Sequence, residues 1–333
     1  MALFDLPLAD LEKYRPTVTE PADFDTFWAG TLAEAAEHHP LVAVEPVHTE
    51  LKLIDTWDIT FTGYAGHPVK AWYSRPAGTQ GHPLPAVVEY LGYGRGRGLP
   101  GERLTWPCAG YAHLLMDTRG QGSQYGNGGD TPDPVGSAPA APGFLTRGIT
   151  SPHTAYLRRL LTDAARAVDA VTALPDVDGV TVAGNSQGGG LAIAAAGLNP
   201  GVDALLASSP LLCHIGRNIT ITDAQPYGEI VQYLSVHRGA VDQVLTALSY
   251  FDAVHFARRT TAPALFATGL RDTICPPSGV FAAYNALPTN DKEIAVYPFN
   301  HHEGGEALQT TRQLSWLSTR TLHSGRERAR STG

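Results

Sequence analysis

Residues Val180 to Ile193 read Val-Thr-Val-Ala-Gly-Asn-Ser-Gln-Gly-Gly-Gly-Leu-Ala-Ile. A short apolar run meets Gly-Asn-Ser-Gln-Gly, and small helix-forming residues follow. The pattern predicts a strand, a sharp turn and a buried helix, with Ser186 at the apex. Small flanking residues let strand and helix approach closely, and such a turn pushes the serine Oγ into the open. Gly-x-Ser-x-Gly alone is weak, because a chain with 35 glycines in 333 residues holds about 0.15 such matches by chance. Its meaning depends on whether the chain also supplies a base, an acid, an oxyanion hole and a sheet to hold them.

The sheet is readable. Trp57, Ile59 and Phe61 alternate, as do Val69, Ala71 and Tyr73, with Gly63 to Gly66 between them, which predicts an antiparallel pair. From residue 84 the strands become short apolar runs: Ala86 to Leu91, Tyr111 to Met116, Val180 to Gly184, Ala204 to Ala207, Ala264 to Ala267 and Ile294 to Tyr297. Helical patterns lie between several of them, such as Tyr156, Leu160, Ala164, Ala167, Val168 and Val171, which Ser151-Pro152 starts and Pro175 stops. Continuous apolar strands alternating with helices imply a parallel sheet covered on both faces. The expectation is an α/β-hydrolase fold: a mostly parallel eight-stranded sheet with helices on both faces. Residues 1–40 read as a helical lead, capped by Thr19 with Pro21 in the first turn and with Phe24, Phe27, Trp28, Leu32 and Ala35 on one face. Residues 211–260 read as a helical insertion, and residues 118–150 as a long Gly/Pro/Asp-rich loop, a length that is usually functional. One domain over residues 1–323 and a disordered tail over 324–333 complete the expected organisation.

A serine hydroxyl needs a base, itself oriented by an acid, and on this fold the order is Ser, then Asp or Glu, then His. Asp272 follows the strand 264–267, in Gly269-Leu270-Arg271-Asp272, with Pro276 and Pro277 stiffening the loop and beginning a helix. His302 follows the last strand, in Pro298-Phe299-Asn300-His301-His302-Glu303-Gly304-Gly305. Three side chains at three strand ends converge where open α/β sheets place their sites. His301 competes with His302. Asp117 competes with Asp272 and ranks lower, because neighbouring Arg119 offers it an ion pair. The oxyanion donors on this fold are the N–H after the nucleophile, here Gln187, and one from the loop after the third strand, here Tyr93 in Gly92-Tyr93-Gly94.

These residues resemble the acetyl xylan esterase and cephalosporin C deacetylase family of carbohydrate esterases. The resemblance runs from Phe4-Asp5-Leu6-Pro7-Leu8 through Gly92-Tyr93, Asp117-Thr118-Arg119-Gly120-Gln121-Gly122 and Gly184-Asn185-Ser186-Gln187-Gly188 to His302-Glu303-Gly304-Gly305. It implies a metal-independent serine esterase with Ser186 as nucleophile, Asp272 and His302 as its partners, and Tyr93 and Gln187 as the oxyanion hole. It selects His302 over His301, since the family's histidine immediately precedes a glutamate, here Glu303. Arg119, Gln121 and Glu303 would support the site without touching substrate. Asn185 stands where close relatives have glycine. The resemblance further implies ring-shaped hexamers whose sites face an internal cavity, favouring small acetyl esters, such as acetylated xylo-oligosaccharides and cephalosporin C, over polymers.

Composition narrows the field. A formal charge of −8 gives no reason to expect a nucleic-acid partner. Cys108, Cys213 and Cys275 are widely spaced, without metal-ligand spacing, and suggest reduced thiols in a cytoplasmic protein. The N-terminus shows no basic leader with a long apolar core, and no apolar run nears the roughly 20 residues of a membrane span. No cofactor is called for. The rival from another class is a nicotinamide-dependent oxidoreductase, since Gly96-Arg97-Gly98-Leu99-Pro100-Gly101 matches Gly-x-Gly-x-x-Gly. That motif starts late after its strand, and Pro100 and Pro107 leave too little helix for the crossover. His301-His302-Glu303 belongs to no His-Glu-x-x-His helix, so no metal hydrolase is expected. Within the hydrolases a serine peptidase is the nearest alternative.

Overall fold

The computed structural model describes residues 3–135 and 142–320. Nine strands build one sheet: β1 (Leu41–Val47), β2 (Ile54–Thr62), β3 (Pro68–Pro76), β4 (Leu84–Tyr90), β5 (Ala112–Met116), β6 (Val177–Asn185), β7 (Ala204–Ser208), β8 (Ala264–Gly269) and β9 (Lys292–Tyr297). Their spatial order is β1-β2-β3-β5-β4-β6-β7-β8-β9. Pairing is antiparallel from β1 to β5 and parallel from β5 onward. This is the α/β-hydrolase arrangement, with one strand more than the eight expected. The extra strand is β1, an edge strand whose Val42 and Val44 point to solvent and which contains Pro46. Buried periodicity is the signal a strand gives in sequence, and an edge strand that accommodates proline gives little of it.

Helix Tyr156–Ala173 and helix Gln187–Leu198 pack on one face and are buried almost all round. The second can lie so close because it is made of Gly and Ala: a Cβ on Gly197 would sit 2.5 Å from the Phe256 carbonyl oxygen. The N-terminal helix, Phe24–Ala36, buries Phe24, Phe27, Trp28 and Ala35 against the same side. It starts after Asp23, one turn later than the Thr19 cap predicted, and Leu32 is only half buried. The opposite face has thinner cover: helix Thr105–Cys108 and helix Glu306–Ser318 shield a small cluster that includes Val87, Trp106, Leu206, Leu265 and Trp316. The helical insertion expected over residues 211–260 holds four α-helices, Ile215–Ile221, Tyr227–Val236, Val241–Ser249 and Ala253–Arg259. The tail expected to be disordered lies outside the described residues.

Register decides what meets at the carboxyl edge. Tyr90 of β4 pairs with Gly184 of β6, so the loop after β4 leaves the sheet beside the turn after β6. Asn185 pairs with Ser208, Ser208 with Ala267, and Gly269 with Tyr297, which brings the ends of β7, β8 and β9 alongside.

Candidate active site

Ser186 has φ 59° and ψ −124°, a conformation that side chains other than glycine rarely adopt. The turn is held by its own backbone: Ser186 N–H donates to the Ser208 carbonyl at 3.0 Å, and the Ser186 carbonyl accepts from Leu211 at 2.8 Å and Gly190 at 3.1 Å. The flanking glycines are required by contact. A Cβ on Gly184 would lie 2.2 Å from the Gly188 carbonyl carbon, and one on Gly188 would lie 2.1 Å from the Tyr90 oxygen. The position between Gly184 and Ser186 has room, and Asn185 is exposed there.

Asp272 is fully buried just beyond β8. Its Oδ1 accepts from the Ile274 and Cys275 N–H groups at 2.8 and 2.9 Å. Its Oδ2 lies 2.8 Å from His302 Nδ1. An ionised carboxylate can only accept, so this contact places the imidazole proton on Nδ1 and leaves Nε2 as the lone-pair nitrogen. The two loops are tied by Arg271 N–H donating to the Asn300 carbonyl at 3.0 Å. Glu303 organises the histidine loop, accepting from the Asn300 side chain at 2.7 Å and from His301 N–H at 3.0 Å.

The two competing residues go elsewhere. The His301 side chain is exposed. Asp117 is buried and accepts from the backbone N–H groups of Arg97, Asp130 and Thr131 at 2.8, 2.6 and 2.8 Å. Its expected ion pair with Arg119 is corrected by the structure. Arg119 grips Asp163 through two nitrogens, at 2.5 and 2.7 Å, and reaches Asp133 at 3.3 Å. The planar guanidinium matches a carboxylate edge two bonds at a time, and Asp163 is the carboxylate placed edge-on to it.

Ser186 and His302 line one cavity of about 480 Å³, together with Tyr93, Tyr125, Gln225, Glu229 and Ile274. The Tyr93 hydroxyl donates to Glu229 on helix Tyr227–Val236 and accepts from Phe144 N–H at 2.6 Å. The other oxygen of Glu229 accepts from Leu145 N–H at 2.9 Å. One carboxylate therefore joins the loop after β4, the long loop and the inserted helices. Burial raises the pKa of Glu229, and burial next to that carboxylate raises the Tyr93 hydroxyl further. Glu229 was missed from sequence; its only trace is a charge beside Tyr227, Ile230 and Tyr233 on an otherwise apolar helix face.

Gln121 lies behind the cavity. Its Oε1 accepts from Gly94 N–H at 2.6 Å, while its Nε2 donates to the Gln187 side chain at 2.9 Å and to the Tyr156 hydroxyl at 3.1 Å. Tyr156 in turn donates to the Arg119 carbonyl at 2.6 Å. Cys275 also belongs to the neighbourhood: burial pushes its thiol well above the usual range, with the Ser186 hydroxyl beside it. The Gly96–Gly101 segment opens no helix; the next one is the four-residue Thr105–Cys108. Arg97 pins it down, pairing with Asp58 at 2.8 Å and Asp130 at 2.9 Å while stacking on Trp72.

The sequence model of the acetyl xylan esterase (AXE1) family matches residues 1–320. The chain belongs to the acetyl xylan esterase family. It is a carboxylic ester hydrolase. An acetyl xylan esterase from Paenibacillus sp. R4 superposes on this esterase with TM-score 0.89, at 36% identity, covering 95% of this chain and 100% of that one. Acetyl Xylan Esterase 1 from Thermoanaerobacterium sp. JW/SL YS485 gives TM-score 0.86 at 31% identity, covering 96% and 100%. Acetyl esterase Axe7A of Xylanibacter ruminicola is 26% identical over 92% of this chain and 69% of its own length. An acylaminoacyl peptidase, 16% identical with TM-score 0.60 over 83% of this chain and 43% of that one, shares the fold alone.

Proposed function

We propose that this esterase removes acetyl groups from small acetylated carbohydrates, such as acetylated xylo-oligosaccharides, and from related esters such as cephalosporin C, through an acetyl-enzyme on Ser186. The observation that carries the reading is the 2.8 Å contact between Asp272 and His302 Nδ1, with His302 on the same cavity wall as a serine held at φ 59°. His302 Nε2 takes the Ser186 proton as Oγ attacks the acetyl carbonyl carbon. Negative charge develops on the carbonyl oxygen, facing the backbone N–H groups of Gln187 and Tyr93. Gln187 opens a helix, where N–H groups have no intrahelical acceptor and the helix dipole favours an anion. His302 then protonates the departing sugar oxygen, and water, deprotonated by the same nitrogen, cleaves the acetyl-enzyme to acetate. Arg119, Gln121 and Glu303 support the loops. A cytoplasmic homohexamer belongs to the same reading; the three free thiols among the described residues fit a reducing compartment, and no helix there is long and apolar enough to cross a membrane. A panel of acetylated xylo-oligosaccharides, cephalosporin C, acetyl xylan polymer and short peptides tests it. Acetate release from the small esters, with little turnover of polymer or peptide, is expected; a preference for peptides overturns it. Light scattering on the purified protein tests the hexamer.

A further inference from the structure

A second cavity, of about 570 Å³, opens on the thinly covered face of the sheet, between helix Thr105–Cys108 and helix Glu306–Ser318. It adjoins the catalytic cavity: Gly92, Tyr125 and Asn185 line both. Each is large enough for a small-molecule site, and only the first contains Ser186.

The chemistry of its walls is unusual for a sheet face. Central parallel strands are expected to be apolar on both sides, yet Glu89 of β4 faces this space, two residues beyond the buried Val87. Glu89 is held ionised there: burial opposes the charge, but Arg103 and His113 outweigh it and bring its pKa to about 2. Arg95 and Glu102 form a second pair on the rim at 3.3 Å. Gln309 and Gln313 line the opposite wall: Gln309 Oε1 accepts from the Tyr297 hydroxyl at 2.8 Å, its Nε2 is buried without a hydrogen-bond partner among the described residues, and Gln313 Nε2 donates to Ser208 Oγ at 3.4 Å. A buried unpaired donor calls for an explanation. At the junction Tyr125 exposes half of its surface, beside the Arg95 guanidinium. Four carboxylates (Glu89, Glu102, Glu303, Glu306) against two guanidinium groups (Arg95, Arg103) line the cavity, which disfavours an anionic occupant. Amides, carboxylates and one open aromatic face suit a neutral molecule rich in hydroxyls.

We propose that this second cavity is a subsite for the sugar portion of the ester, a neutral oligosaccharide whose acetyl group reaches Ser186 past Asn185. The inference rests on the carbohydrate reading above and adds where the carbohydrate lies. It also gives Asn185 a role, since the exposed side chain between Gly184 and Ser186 is the doorway between the two spaces. Binding energy gathered on a remote part of a substrate supports turnover at the reacting centre, so loss of the subsite is felt only by substrates long enough to reach it.

The test uses the full-length enzyme with Thr310→Phe, which fills the cavity from helix Glu306–Ser318, and Gln313→Ala, which removes an amide. For each, kcat/KM is measured on monoacetylated xylotriose and on p-nitrophenyl acetate, and unacetylated xylotriose is titrated as an inhibitor of the aryl ester. Thr310→Phe is expected to lower kcat/KM on the acetylated trisaccharide about tenfold, the worth of one or two hydrogen bonds, with less than about a twofold change on the aryl ester. Inhibition by xylotriose should weaken in parallel. An equal loss on both esters, or no loss on either, overturns the proposal, as does xylotriose inhibition that ignores the substitutions. Wild-type enzyme that cleaves the aryl ester but not the acetylated trisaccharide overturns the carbohydrate reading itself, and the inhibition arm still reports on the cavity.

Discussion

Replacing Asp272 with asparagine should disable the enzyme by turning one imidazole over chemically while leaving the packing intact. Asp272 Oδ1 faces two backbone donors, Ile274 and Cys275 N–H at 2.8 and 2.9 Å. An asparagine there must present its carbonyl oxygen to them, since the NH2 group would meet two donors head-on. The amide orientation is thereby fixed, and the NH2 takes the place of Oδ2, 2.8 Å from His302 Nδ1. It can only donate, so Nδ1 becomes the acceptor and the imidazole proton moves to Nε2. Histidine then offers the serine a donor where a base is needed. The comparable change in another serine hydrolase lowers kcat about 10⁴-fold, or about 5 kcal/mol of barrier. Steady-state hydrolysis of p-nitrophenyl acetate reads the loss, and the ¹⁵N resonances of His302 report which ring nitrogen carries the proton. A folded Asp272→Asn protein that retains more than about a tenth of wild-type kcat, with Nε2 protonated, would refute the role of His302 as base.

Glu229→Gln should lower kcat on p-nitrophenyl acetate about tenfold, because the amide must turn a donor toward either Tyr93 or Leu145. Adding Tyr93→Phe should cost little more, and strictly additive losses in the double-mutant cycle would argue that the two residues act separately. Gly188→Ala should destabilise the fold by roughly 3 kcal/mol in urea, since its Cβ would lie 2.1 Å from the fixed Tyr90 carbonyl oxygen; a wild-type midpoint would show that β4 can yield. His255 is buried, its Nε2 lacks a partner among the described residues, and burial lowers its pKa to about 4. The unfolded chain therefore binds the extra proton first, so stability is full above about pH 6.5 and falls toward pH 4, by up to about 3 kcal/mol. His255→Phe should flatten that part of the curve; thermal melts from pH 7 to 4 that match wild type would contradict it.

What the sequence made legible was what repeats locally. Apolar runs announced the parallel strands, the Gly-x-Ser-x-Gly turn announced the strand-to-helix junction, and Asp272 and His302 stood out by following their own strands. Strand β1 did not, because half its side chains face water and Pro46 sits within it. The Arg119–Asp163 pair spans 44 residues and the Tyr93–Glu229 pair spans 136, so no spacing rule connects either. Asp117 looked like Arg119's partner only because it was near in sequence. In three dimensions its oxygens are taken up by backbone N–H groups of the loops at 97 and 130–131.

The Gln121 side chain holds Gly94 N–H with its oxygen and the Gln187 side chain with its nitrogen. The two peptide groups proposed to receive the oxyanion therefore belong to segments joined through a single amide. An acetyl ester with no sugar attached, too small to lend any force to a closing motion, should find the same pair of donors waiting as a full oligosaccharide does. On that reading the sugar should add to kcat/KM through its own contacts, while the spacing across Gln121 should serve every acetyl group alike.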